Sequence, residues 1–148
     1  MLFNDDVGTL LKNEPQNRRI LNNEYRNNMN DRKHDLEERL IDFSVLNITF
    51  IESLPASKTS AYIAGQLLRS SISPALNYGE AQAAESRNDF IHKMKICLKE
   101  LRESHNALRI LSKAKIYRSE QQIFHLIKEC NELIAIFVRS IETAIKRK

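Results

Sequence analysis

Tryptophan is absent from the 148-residue chain, and glycine and proline occur only three times each. An all-β sandwich or barrel turns a corner every few residues and draws on glycine and proline to do so, which excludes that class. The glycines also exclude a phosphate-cradling loop, because no two of Gly8, Gly65 and Gly79 share one turn. Two cysteines, Cys97 and Cys130, are too few for a disulfide framework, and the four histidines fit no zinc-finger spacing. No apolar run approaches the ~20 residues that span a bilayer. The N-terminal MLFNDDVGTLLKNEP lacks the long apolar core of a secretory signal. These absences lead us to expect a soluble cytoplasmic helical protein with no membrane contact, no metal and no other cofactor.

What is present is charge, unevenly placed. The chain holds 23 Lys+Arg against 19 Asp+Glu, a net +4. Residues 1–92 carry 10 and 13 of these, and residues 93–148 carry 13 and 6, so the halves stand at −3 and +7. A basic half marks a surface for nucleic acid or an acidic partner. Equally, it is a solvated helix face on which lysine serves helix propensity and solubility.

Seven of the 13 asparagines lie within residues 1–28. Asparagine competes with the backbone for hydrogen bonds, so this stretch is expected to be a flexible extension, with translation from Met29 as a second reading. Residues 29–148 are expected to form the domain. From Asp31 the apolar period becomes helical, with Leu36, Leu40, Phe43, Asn47, Phe50 and Leu54 on one stripe. Ile41, Leu46, Ile48 and Ile51 widen it beyond what one neighbouring helix covers, and Pro55 ends it. Ser57 or Thr59 caps a second helix with apolar positions Ile63, Leu67, Leu68, Ile72 and Leu76. Pro74 predicts a kink over residues 70–73, after which the helix resumes to about Ala84.

Ser86 with Asp89, and Ser119 with Gln122, read as capping boxes that open a third and a fourth helix. The third carries Phe90, Met94, Cys97, Leu98, Leu101, His105, Leu108 and Leu111 at helical spacing. The fourth carries Ile123, Leu126, Ile127, Cys130, Leu133, Ile134, Phe137, Ile141 and Ala144. The expected fold is all-α: an antiparallel up-down-up-down four-helix bundle with a kinked second helix.

Two constellations stand out. A hairpin of helices 2 and 3 turning near residue 85 sets Arg69 against Glu100, Asn77 against Lys93 and Glu80 near Lys93. With Ser73 and Glu103 this makes a polar seam that fixes register rather than performs catalysis, since no nucleophile and base converge there. A lone Asp89-x-x-His92 falls short of a di-iron bundle, and His105 reads as a core or interface histidine. The cysteines read as small buried hydrophobes. The second constellation is basic: Lys95, Lys99, Arg102 and Arg109 recur at multiples of three or four residues, and Lys113, Lys115 and Arg118 cluster at the end of that ridge. Phosphate contacts require cations on one face but no motif.

The stretch QLLRSSISPALNYGEAQAAESRNDFIHKMKICLKELRES, residues 66–104, resembles the signature of a bacterial four-helix-bundle family first noted as products of intervening sequences in 23S ribosomal RNA genes. The likeness rests on Gln66, Leu67, Arg69, Ser70, Ser73, Asn77, Glu80, Ala81, Ser86, Asp89, Phe90, Lys93, Lys99, Glu100 and Glu103. More distantly, the chain is similar to the accessory variability protein of diversity-generating retroelements. It departs from the family pattern at Pro74 (usually Ile or Val), at Ala75-Leu76 (Gly-Ala) and at Asn106-Ala107 (Tyr-Trp). The resemblance implies a homopentamer and, from the retroelement relatives, a positive surface for nucleic acid and a reverse-transcriptase partner. The expected function is therefore non-enzymatic: an oligomer binding RNA or DNA with little sequence preference. The alternative is a protein-interaction scaffold for a mobile-element or reverse-transcriptase partner.

Overall fold

A computed structural model describes residues 35–147, which form four helices: α1 (Leu36–Glu52), α2 (Lys58–Gln82), α3 (Arg87–Lys113) and α4 (Glu120–Lys146). The Asn-rich residues 1–28 and the expected helix start at Asp31 lie outside the described residues. Among the described residues there is no strand. The helices pack as the four-helix bundle that the periodicity predicts.

Each connection is short, and local chemistry sets each helix start. Ser57, not Thr59, caps α2: its Oγ accepts from Ser60 N at 3.0 Å. Ser86 Oγ accepts from Asp89 N at 3.1 Å, and Ser119 Oγ from Gln122 N at 3.2 Å. The return arm of the first box goes one residue upstream, with Glu85 N donating to Asp89 Oδ2 at 3.4 Å. The end of α3 is a Schellman motif: Ile116 N reaches Leu111 O at 2.9 Å and Lys115 N reaches Ser112 O at 3.1 Å. Lys115 occupies the left-handed position of that motif at φ 55°, where glycine is the unstrained residue. Lys115→Gly is therefore expected to raise stability by about 0.5–1 kcal/mol, measured by urea denaturation.

The core follows the predicted stripes closely on three helices. Leu40, Phe43, Asn47 and Phe50 of α1 are buried, as are Met94, Cys97, Leu101, Leu108 and Leu111 of α3. From α4 come Ile123, Leu126, Cys130, Leu133, Phe137 and Ile141. On α2 the reading needs correction: Leu67 is buried, whereas Leu68 and Leu76 are exposed, and the buried face is completed by Ser60, Ser70, Ser71, Pro74 and Ala81. The helix continues past Pro74 and ends at Gln82, two residues earlier than expected. Pro74 lacks the N–H that would reach the Ser70 carbonyl. Beside that gap, Ser44 of α1 sits 2.9 Å from Leu40 O and 3.0 Å from Ser71 O, so its one proton ties α1 to α2.

Two more polar contacts place α1. Arg39 donates through Nε to Glu129 Oε1 at 2.6 Å and through Nη2 to Glu129 Oε2 at 3.0 Å, and its Nη2 also reaches Glu132 at 2.6 Å. This fork joins α1 to α4, and the hydrogen bond to Glu129 foremost pushes the Arg39 pKa up. Asn47 Nδ2 donates to Phe43 O at 2.8 Å, while its Oδ1 has no partner among the described residues.

Candidate nucleic-acid interface and polar seam

The seam between α2 and α3 assembles in the predicted register. Arg69 donates to Glu100 at 3.0 Å and to Glu103 at 2.6 Å, and Lys93 donates to Glu80 at 2.9 Å. The Arg69 pKa is pushed up, first by the hydrogen bond to Glu103, and that of Lys93 by the one to Glu80. Asn77 departs from expectation. It bonds back along its own helix, to the carbonyl and hydroxyl of Ser73 at 3.0 Å each, while Lys93 is held by Glu80. One member is absent from the sequence reading: buried Ser104 donates to Ser70 Oγ at 2.8 Å. The predicted register sets Ser70 against Glu100, so Ser104 lies one helical turn farther along α3 and the spacing does not single it out.

Both thiols are buried and unpaired. Cys97 Sγ lies 3.5 Å from Pro74 O and Cys130 Sγ 3.2 Å from Leu101 O. Burial pushes each pKa up to about 12, which holds them as protonated thiols. Among the described residues no group of His, Cys, Asp and Glu is arranged to hold a metal ion. No helix there is long and apolar enough to cross a membrane.

The basic residues lie on the opposite side of α3 from its buried face. Lys95, Lys99, Arg102, Arg109 and Lys113 are all exposed and step along the helix by four, three, seven and four residues, with exposed Asn106 filling the longer interval. At 1.5 Å per residue the ridge is about 27 Å long. Its five cations make no ion pair among the described residues. Lys115 extends it into the loop. Arg118 is partly diverted, donating to Ser53 O at 3.2 Å and tying that loop to the end of α1.

His105, expected on the core stripe, is only half-buried. Burial first, and the charge of Arg109 second, push its pKa below the ordinary 6.5. The folded state then binds its proton less readily than the unfolded chain. Stability is expected to fall as pH drops through and below 6.5, and His105→Asn to remove that part of the loss in pH-dependent melting.

These features can be set beside known proteins. The model of the 23S rRNA-intervening sequence protein family matches residues 32–139, well over half of the chain. The chain belongs to this family. A crystal structure from the S23 ribosomal protein family, a protein of unknown function from Bacteroides thetaiotaomicron VPI-5482, is 28% identical with a TM-score of 0.65. The alignment covers 71% of this chain and 96% of that one. No curated protein matches significantly. The 23S rRNA-intervening sequence match spans the whole seam and every cation of the ridge, so both features sit inside the family domain rather than in an appendage.

Proposed function

We propose that this member of the family is a non-enzymatic, self-associating bundle that binds RNA or DNA with little sequence preference. The observation that carries the reading is the ridge of Lys95, Lys99, Arg102, Arg109 and Lys113, exposed and without acidic partners among the described residues. Arg39, Arg69 and Lys93 are neutralised by glutamates, whereas Lys58, Arg87, Lys128 and Arg139 are, like the ridge, exposed and without ion pairs among the described residues. What sets the ridge apart is that its five cations fall on one face of α3. The strained φ of Lys115 adds support, since the chain holds a lysine at the end of the ridge where glycine would cost less. The family's name refers to intervening sequences of 23S rRNA and brings no ligand with it.

Self-association is favoured by a second face. Ile41, Val45 and Ile48 form an exposed stripe on α1, and Leu68 and Leu76 stand exposed on α2. Isolated apolar side chains on a surface are ordinary, but three that recur at helical spacing along one face of α1 are an interface feature. Light scattering measures the copy number, which is five by the resemblance.

The direct test is affinity for mixed-sequence RNA as salt is raised. Six cations, Lys115 included, give a slope of about −4 on single strands, so a rise from ~50 to ~200 mM salt should weaken binding about 250-fold. Absence of binding at ~50 mM would end this reading and leave the scaffold alternative, in which the apolar face holds a protein partner.

A further inference from the structure

We propose that the groove between α2 and α3, beside the ridge, receives one unstacked nucleobase, which makes single-stranded nucleic acid the ligand rather than duplex. This rests on the reading of the ridge as a phosphate surface. The groove has a volume of about 260 Å³ and is lined by Tyr62, Gln66, Glu103, Asn106, Ala107 and Ile110 among others. That is just below the ~300–1,000 Å³ of pockets for whole small-molecule ligands, a size for one planar ring system.

Its lining has what a base requires. Tyr62 is 71% exposed and Ile110 is 54% exposed, so an aromatic ring and a branched apolar side chain both stand open to solvent at the groove. The short side chains of Asn106 and Ala107 leave the space between them unfilled. Gln66 stands one helical turn from Tyr62, and its amide, like that of Asn106, makes no hydrogen bond among the described residues. Each offers a donor and an acceptor, the complement of a base edge. Glu103 would repel a nucleic acid, but Arg69 holds its carboxylate at 2.6 Å.

Position joins the groove to the ridge. Asn106 belongs to both: it lines the groove and stands between Arg102 and Arg109 on the exposed face of α3. A strand whose phosphates follow the ridge therefore passes the mouth of the groove. A duplex offers the same phosphates but keeps its base faces stacked inside, out of reach of Tyr62. A single strand can turn one base out onto the ring, a contact worth about 5- to 150-fold in affinity per base.

The test compares a labelled single-stranded oligonucleotide with the duplex of equal length, by fluorescence anisotropy on the full chain. Tyr62→Ala is expected to weaken the single strand about 5- to 150-fold and leave the duplex and the salt slope unchanged, while Tyr62→Phe keeps wild-type affinity. Because the chain has no tryptophan, tyrosine emission is unmasked. Single-strand binding should quench it in the wild type and less so in Tyr62→Ala. Tyr62 is exposed, so circular dichroism should report an unchanged fold. If Tyr62→Ala weakens both ligands equally, or neither, the groove proposal is overturned and the ridge reading stands. Failure of the wild type to bind either ligand at ~50 mM salt overturns both.

Discussion

A variant with Lys95, Lys99, Arg102 and Arg109 all replaced by glutamine is expected to lose RNA affinity by about 10³- to 10⁴-fold at ~50 mM salt. Each phosphate contact on a single strand contributes about 0.7 to the salt slope, and releasing that counterion fraction into ~50 mM salt is worth about 0.9 decade. Four contacts give more than three decades, and the slope itself should fall by about 3. The four side chains are exposed and unpaired among the described residues, so stability should change by no more than about 0.5 kcal/mol. Assembly should survive, because the apolar stripe lies on α1 and α2 and not on the ridge. Anisotropy titration with light scattering on the same sample separates the readings. Unchanged RNA affinity would refute the ridge as the binding surface. Loss of assembly together with binding would mean that the cations hold subunits together instead.

How much of this is legible in the sequence depends on what each feature requires. Periodicity alone identifies a helix face, which is why the spacing of Leu40, Phe43, Asn47 and Phe50 suffices to assign them to the core. A short hairpin fixes register, and so the sequence matches Arg69 to Glu100 and Glu80 to Lys93. The Arg39 fork is not legible. Helices α1 and α4 are joined by no hairpin, so nothing local aligns Arg39 with Glu129 and Glu132. Periodicity also cannot tell a face covered by a neighbour from one left open, the reason that spacing puts Leu68 and Leu76 inside. The groove at Tyr62 needs small side chains on α3 opposite a ring on α2, a relation across two helices that no single stripe displays.

The largest effect on the fold itself is expected from Phe137→Ala. Phe137 is fully buried on α4, and its ring packs edge-to-face with that of Tyr78 of α2, with centroids 5.9 Å apart and planes at 75°. It thus links two helices that are not consecutive in the chain. Truncating a buried phenylalanine costs about 3–5 kcal/mol, because the apolar surface is lost and the vacated volume does not close. Part of that is the edge-on ring pair, about 0.5–1.5 kcal/mol. Set against the ~5–15 kcal/mol that holds a domain together, the variant should melt about 10–15 °C lower. Phe137→Leu, which keeps most of the volume, should lose less than half as much. The ridge lies across α3 from the buried face, so RNA affinity of Phe137→Ala measured well below its melting point should equal that of the wild type. A loss of stability below about 1 kcal/mol would show that α2 and α4 are not coupled through this ring. A large shift with altered RNA affinity would show that the ridge depends on core packing, and that the binding surface cannot be assigned to α3 alone.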